Sequence, residues 1–382
     1  MIRHFALALA GLLTTAATPA AAQAPVRIGL SAPLSGPDAT FGQGLRQGAE
    51  QAVADINRAA GGRPRLVLVP ADDAGDARQA VSVARKFTAD GVRLVVGPFE
   101  SGAVAAASPV YEDAFAVLVT TGASYSPLTG RGFWNTFRLG PSDAQQGRAA
   151  GAYLAKTFAG RRAGILNDRS TFGRGLADAV AAQLKEAGAP EVLFDSFPRG
   201  TRDLADLVAR LKAARVEAVY FGGLAPEAAT LLHAMRQAGL GATLVASDGI
   251  LDPGFATMAG TAGEGTVMTL APDPPRLPDP RSGKPVPRGP DADSVAAGAY
   301  AAVELLYQAV DRARAADPKT GRIADGRKVA EALRSGLPAR TILGSVGFDA
   351  RGDRTGGAVT LRVWRRMPDG RLDYAGHDTA EP

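Results

Sequence analysis

Short runs rich in β-forming residues alternate with amphipathic helical segments along this chain, and the whole alternation occurs twice. The first set places strands at residues 26–31, 65–70, 93–97 and 116–120, each bounded by Gly, Pro or Ser. Between the first two, Leu45, Ala49, Ala52, Val53 and Ile56 form one apolar stripe of helical period, which Gly61-Gly62 should end. The second set reads strand at 163–167, helix at 173–188, strand at 191–197, helix at 201–215 and strand at 217–222. In its second helix Leu204, Leu207, Val208 and Leu211 make the stripe and Thr201 is placed to cap it. Strands alternating with helices imply parallel sheets covered on both faces, so the expected class is α/β, with two doubly wound lobes in succession.

The two sets also repeat in detail. Phe41-Gly42-Gln43-Gly44-Leu45 follows the first strand of one, and Phe172-Gly173-Arg174-Gly175-Leu176 follows the first strand of the other. In a doubly wound sheet that loop lies at the carboxyl edge, where ligands bind. Each Phe alone could simply pack its helix on its sheet; the matched pair favours a cleft shared by both lobes.

Residues 1–4 carry Arg3, residues 5–15 are apolar but too short to span a bilayer, and Ala20-Ala21-Ala22 offers small residues for cleavage. Residues 1–22 therefore read as a secretory signal peptide cut after Ala22, and the remaining 360 of 382 residues suffice for two cores. No later apolar stretch is long enough to anchor the chain in a membrane. The absence of cysteine removes lipid attachment at the cleavage point, disulfides and thiolate chemistry together. A formal charge of +5 could suggest nucleic acid, but Arg and Lys are interspersed with Asp and Glu, and Arg161-Arg162 and Arg365-Arg366 are the densest basic clusters.

Catalytic and cofactor chemistry finds little material. Only His233 and His377 would remain after cleavage, which leaves no histidine triad and no histidine metal site. Residues 97–102 have phosphate-loop glycines, but Ala103 stands where Lys is needed, and no GxGxxG follows the first strand. Asp72, Asp73 and Asp76 could suggest a cation, yet Asp76 is well placed to cap the next helix. No enzyme activity, cofactor or metal is expected. Eight prolines between 271 and 290 exclude helix and strand there and read as a surface excursion. A long helix over 293–315, a shorter one over 325–335 and a strand near 359–365 complete the lobes.

Several segments, among them Leu34-Ser35-Gly36-Pro37, the run 48–57, Asp72-Asp73-Ala74, Tyr111-Glu112-Asp113, the run 207–212, Tyr220-Phe221-Gly222-Gly223 and the run 348–353, resemble the periplasmic leucine-isoleucine-valine binding proteins of ABC importers. The resemblance runs from Val26 almost to the C-terminus. It implies the type I periplasmic binding fold, two lobes joined by three hinge crossovers near Ser142, Ala271 and Gly344. Lobe I would then comprise 26–142 with 272–344, and lobe II 143–271 with 345–382. It further implies a periplasmic, monomeric protein that closes on an amino-acid-like solute and docks on membrane permease subunits.

By that resemblance Ser101, before a helix whose N–H groups favour an anion, and Ser124 would hold the ligand's α-carboxylate. Gly122 would offer a carbonyl and Asp248 would meet the ammonium. Without it, Asp248 before Gly249 reads more readily as a turn residue than as a ligand contact. Phe41, Phe172 and Leu224 stand where the family usually has tyrosine, so the side-chain end of the site is expected to be apolar. Such a surface disfavours a polar side chain, which would lose water without gaining a partner. Gly75 and Glu100 occupy the positions of a family disulfide.

The expected solute is thus an apolar, branched-chain-like amino acid. The rival within the same transport role is an aromatic carboxylate, a short amide or a urea-like compound; an amine-free carboxylate would face an unpaired Asp248. A sensory receptor would need a signalling domain or anchor on this chain, and an enzyme an acid-base or nucleophilic set.

Overall fold

The computed structural model describes residues 24–59, 65–251, 253–271, 292–356 and 358–374. The proposed signal segment, Gly61-Gly62, the prolines from Pro272 to Pro290 and His377 lie outside them.

The first half runs β1 Val26–Ala32, α1 Ala39–Ala59, β2 Leu66–Asp72, α2 Ala77–Ala89, β3 Leu94–Val96, α3 Ser101–Asp113, β4 Val117–Thr120, the single turn α4 Pro127–Gly130 and β5 Thr136–Arg138. Its strands are all parallel in the order β2-β1-β3-β4-β5. The second runs α5 Asp143–Thr157, β6 Ala163–Asn167, α6 Thr171–Glu186, β7 Leu193–Ser196, α7 Ala205–Ala213, β8 Ala218–Gly222, α8 Ala225–Gln237, β9 Thr243–Ala246, α9 Pro253–Ala259 and β10 Val267–Leu270. Then come α10 Ala292–Ala313, α11 Arg327–Leu333, a hairpin of β11 Ala339–Thr341 with β12 Gly344–Val346, and β13 Thr360–Val363.

The second sheet has the order β13-β10-β9-β8-β6-β7, parallel except that β13 runs antiparallel to β10. Each sheet is buried between two apolar layers. Leu30, Leu45 and Val303 lie in one layer of the first, and Phe87, Val95 and Tyr111 in the other. The second sheet's layers hold Leu207, Phe221 and Leu232, and Ile165, Leu176 and Tyr220. Burial on both faces accounts for the near-continuous apolar strands.

Strand order reverses direction at β1, which pairs with both β2 and β3, and at β6, which pairs with both β7 and β8. Those are the two switch points, where an open α/β sheet leaves a crevice at its carboxyl ends. The repeated Phe-Gly motifs open the helix after each: Phe41 in the first turn of α1 and Phe172 in the first turn of α6. The glycines are steric necessities. A Cβ on Gly42 would lie 1.9 Å from the Pro33 carbonyl oxygen, and one on Gly173 would lie 2.4 Å from that of Gly222.

Three local expectations meet different outcomes. Asp76 caps α2, accepting from the N–H groups of Arg78 and Gln79. Thr201 does not cap α7; its hydroxyl donates to the Pro198 carbonyl, the helix begins at Ala205, and Asp203 accepts the Ala205 N–H. The third crossover does not fall at Gly344. Val346 and Phe348 pack in the core of the first sheet, and Arg138 of β5 bridges Asp353, so the chain returns to the second sheet only between Thr355 and Thr360. Burial of Phe348 against Phe137, with ring centroids 5.1 Å apart, carries that difference.

Candidate functional site

A cavity of about 350 Å³ lies between the carboxyl ends of the two sheets. Five of the seven residues singled out from the sequence line it: Phe41, Gly122, Phe172, Leu224 and Asp248. Leu139, Leu251 and Leu270 extend its apolar wall, and Tyr374 joins it from the last described residues. Ser101 and Ser124 are not on the lining. Ser101 begins α3, is 1% exposed, and its Oγ accepts the Tyr125 N–H at 3.4 Å. Ser124 is equally buried, and its Oγ has no hydrogen-bond partner in good geometry. Ser101 follows the lining residue Glu100 directly, and Ser124 stands two residues after the lining residue Gly122.

Ser124 is held by its backbone. Its carbonyl accepts from Arg138 Nη1 at 2.8 Å and from the Asp143 N–H at 2.8 Å. Arg138 is buried, donates to the Tyr125 carbonyl as well, and pairs with Asp353 at 2.6 Å, so one guanidinium pins the loop after β4.

Asp248 follows β9 in a short 3₁₀ turn. Ser247 caps that turn through Gly249. The Asp248 carboxylate has local support from its own N–H and from the Ser247 hydroxyl, and it accepts from Gln146 Nε2 at 3.0 Å, while Gln146 Oε1 accepts the Thr269 hydroxyl at 2.6 Å. Burial pushes the Asp248 carboxyl up to about 6, with the charge of Asp143 adding to the rise and Gln146 opposing it. Asp143 is likewise pushed up to about 6 by burial, against the pull of the nearby Ser124 hydroxyl, which is not in good hydrogen-bond geometry, the Ser126 N–H and the Arg138 guanidinium. The Tyr220 hydroxyl, buried and unpartnered, feels both acids and is driven well above its ordinary range, by burial first. Asp248 therefore brings a buried carboxyl to the cavity wall, with Asp143 and Tyr220 behind it and the Arg138 guanidinium acting on Asp143.

Aromatic rings reach the cavity from both halves of the fold. Phe41 stacks on Phe99 with centroids 5.1 Å apart, and the Phe99 ring lies so close to Gly122 that a Cβ there would be 2.2 Å from Cε2. Phe172 packs against Gly249 in the same way, at 2.9 Å from a notional Cβ. The sequence reading missed Phe99, Glu100, Asp143 and Gln146. Glu100 carried a signal, a carboxylate in place of a half-cystine; Asp143 and Gln146 sit in an ordinary capping-box helix start and carried none.

Among the described residues no group of three His, Cys, Asp or Glu is arranged to hold a metal ion, and no helix is long and apolar enough to cross a membrane. His233 is exposed on α8 and bonds the Met258 carbonyl.

Residues 25–370 match the family model described as periplasmic binding protein. The chain is 36% identical over 356 residues to a Leu/Ile/Val-binding protein homolog of Brucella abortus, covering 92% of this chain and 93% of that one. It is also 36% identical over 351 residues to the Leu/Ile/Val-binding protein BraC3 of Rhizobium johnstonii, covering 90% and 92%. Among solved structures, a leucine binding protein of Thermotoga maritima superposes with a TM-score of 0.79 at 22% identity, covering 93% of this chain and 99% of that one. A Rhodopseudomonas palustris solute binding protein in complex with 4-hydroxybenzoate superposes at 0.77 and 19% identity, covering 94% and 98%.

Proposed function

The chain belongs to the periplasmic binding protein family, and from that premise we propose that it captures an apolar, branched-chain-like amino acid in the cleft between its lobes and delivers it to the permease of an ABC importer. Export with cleavage after Ala22, action as a monomer and the absence of turnover are parts of the same reading. The observation that carries it is the Asp248 carboxylate on the wall of a mostly apolar cavity, supported from Gln146; the lining also holds Glu100, Thr121, Gln145 and Arg354, but among the described residues Asp248 makes no ion pair with a cation. A ligand ammonium supplies that cation, with the Gly122 carbonyl as a second acceptor.

The α-carboxylate is assigned to the N-terminus of α3, where Ser101 and the unpartnered hydroxyl of Ser124 lie behind the lining. Ligand entry turns the Ser124 hydroxyl toward the cavity. Phe41, Phe172 and Leu224 receive the side chain, and their lack of hydroxyl groups selects against polar ones. Because the carboxylate and ammonium sites belong to different lobes, a ligand that bridges them favours the closed arrangement.

Thermal-shift and calorimetric titration with L-leucine, L-isoleucine, L-valine, L-phenylalanine and 4-hydroxybenzoate tests this reading. Binding of apolar L-amino acids is expected; binding of the amine-free acid alone would replace it with aromatic carboxylate uptake.

A further inference from the structure

At the rim of the cleft the carboxyl ends of three strands in one sheet face three in the other. Asp38, Asp73 and Glu100 follow β1, β2 and β3; Asp168, Arg199 and Glu227 follow β6, β7 and β8. Arg199 reaches across. Its Nη2 donates to Asp38 Oδ1 at 2.7 Å and its Nη1 to Oδ2 at 3.1 Å, a two-pronged pair whose carboxylate is 5% exposed. The same guanidinium lies 4.0 Å from Glu227, whose other oxygen accepts the Gly200 N–H.

The acids outnumber this cation. A methyl group on Gly75 would touch both Asp38 Oδ2 and Glu100 Cγ at 3.3 Å, so these two side chains converge on one spot. Glu100 Oε1 and Asp168 Oδ2 are buried without partners; Asp168 Oδ1 is taken by the Ser170 hydroxyl. A buried carboxylate without a counter-charge is costly, and the group takes a proton instead. Separating the sheets would break the Asp38–Arg199 pair and return these carboxyls to water.

We propose that Arg199 is a positioning residue that latches the two lobes shut through Asp38, and that shutting the latch loads a proton onto the Glu100 carboxyl. Burial pushes the Glu100 carboxyl up to about 8; Asp38 adds to the rise, Arg199 opposes it, and Asp168 and Asp73 add further. Burial also raises Asp168 and Asp73. In the open form Glu100 titrates in the ordinary glutamate range, so closing takes up a proton between about pH 4.5 and pH 8. The closing equilibrium should fall by up to about tenfold per pH unit as pH rises through that window, and level off above it.

The inference uses the two-lobe closure of the proposed function but not the identity of the solute, so ligand-free protein decides it. The chain has no cysteine, and spin labels on Arg78→Cys and Arg202→Cys, both exposed beside the rim, report the lobe separation by pulsed electron resonance. A short distance should dominate at pH 6 and a longer one should grow toward pH 9. Arg199→Gln should shift the population to the long distance at both pH values, and Asp38→Asn, which keeps a similar shape, should do the same. Glu100→Gln should hold the short distance at both. Distances unchanged by Arg199→Gln and Asp38→Asn would overturn the latch, and a pH response surviving in Glu100→Gln would overturn the proton assignment. A chain that binds no amino acid yet gives the expected distances would reject the transport reading alone.

Discussion

Gln146 and Asp248, 102 residues apart in sequence, meet side chain to side chain at 3.0 Å on the wall of the cleft. Gln146 is fully buried and its carbonyl oxygen is already committed to Thr269, so its amide can only donate toward the acid. The acid is thereby oriented and kept available. An acid held above its usual range by burial, even with Gln146, Ser247 and its own N–H supporting it, is a group the fold tolerates at some cost to stability.

Asp248→Asn should therefore separate stability from binding. Replacing a buried acid by its neutral isostere should leave the melting temperature unchanged or higher, while the affinity for an apolar L-amino acid falls by about 3 to 5 kcal/mol as the ligand ammonium loses its counter-charge. Calorimetry beside a thermal melt reads both; equal affinity in the variant would remove Asp248 from the site.

The same group sets a pH dependence. Asp248 titrates near 6 in the free protein, and an ammonium ligand needs it ionised. In a Glu100→Gln background, where closing takes up no proton at that position, affinity should hold from pH 7 to 8 and fall below pH 6 by up to about tenfold per unit, because binding must then expel a proton from Asp248. Titrations at pH 7.5 and 5.0 check the sign. A rise in affinity on acidification would favour a ligand that brings an acid rather than an amine.

Phe41 and Phe172 are each buried and each line the cavity, so truncation should register twice. Phe172→Ala should cost about 3 to 5 kcal/mol of stability and broaden the accepted side chains, measured by urea unfolding and by competition between L-leucine and L-phenylalanine. Phe41→Ala also removes the stack on Phe99 and should behave alike. A loss of stability with an unaltered ligand preference would mean that the rings only pack helices on sheets.

Gly42→Ala and Gly173→Ala test the repeat itself. The added methyl would lie within van der Waals contact of backbone oxygens that cannot turn aside, at 1.9 Å in the first and 2.4 Å in the second. Each variant should lose more than about 3 kcal/mol by denaturant unfolding. Substitution at Gly241, with nothing within 4 Å of a notional Cβ, serves as the control and should change little.

Much of this architecture was legible because it rests on local periodicity. Strands at 163–167 and 217–222 come within a residue of their observed ends, since continuous Val, Ile, Leu and aromatic runs between turn residues have one low-energy use in a doubly covered sheet. The three-residue strand β5 and the four-residue β10 were missed because such short segments carry no period of their own and are set by neighbours already in place. The antiparallel return of β13 was equally invisible, being fixed by pairing with β10.

The site divides along the same line. Phe41 and Phe172 announced themselves through a repeated motif at two switch points, and Asp248 through a family resemblance. Local sequence determined which helices and strands form and where their carboxyl ends carry unusual residues. Tertiary structure alone decided that Ser101 and Ser124 stand behind the cavity wall, that Gln146 supports Asp248, and that Arg199 crosses the cleft to Asp38. Those outcomes depend on distances between separate segments, 24 residues apart for Ser101 and Tyr125, 102 for Gln146 and Asp248 and 161 for Asp38 and Arg199, where burial and charge act through space and leave no trace in the order of residues along the chain.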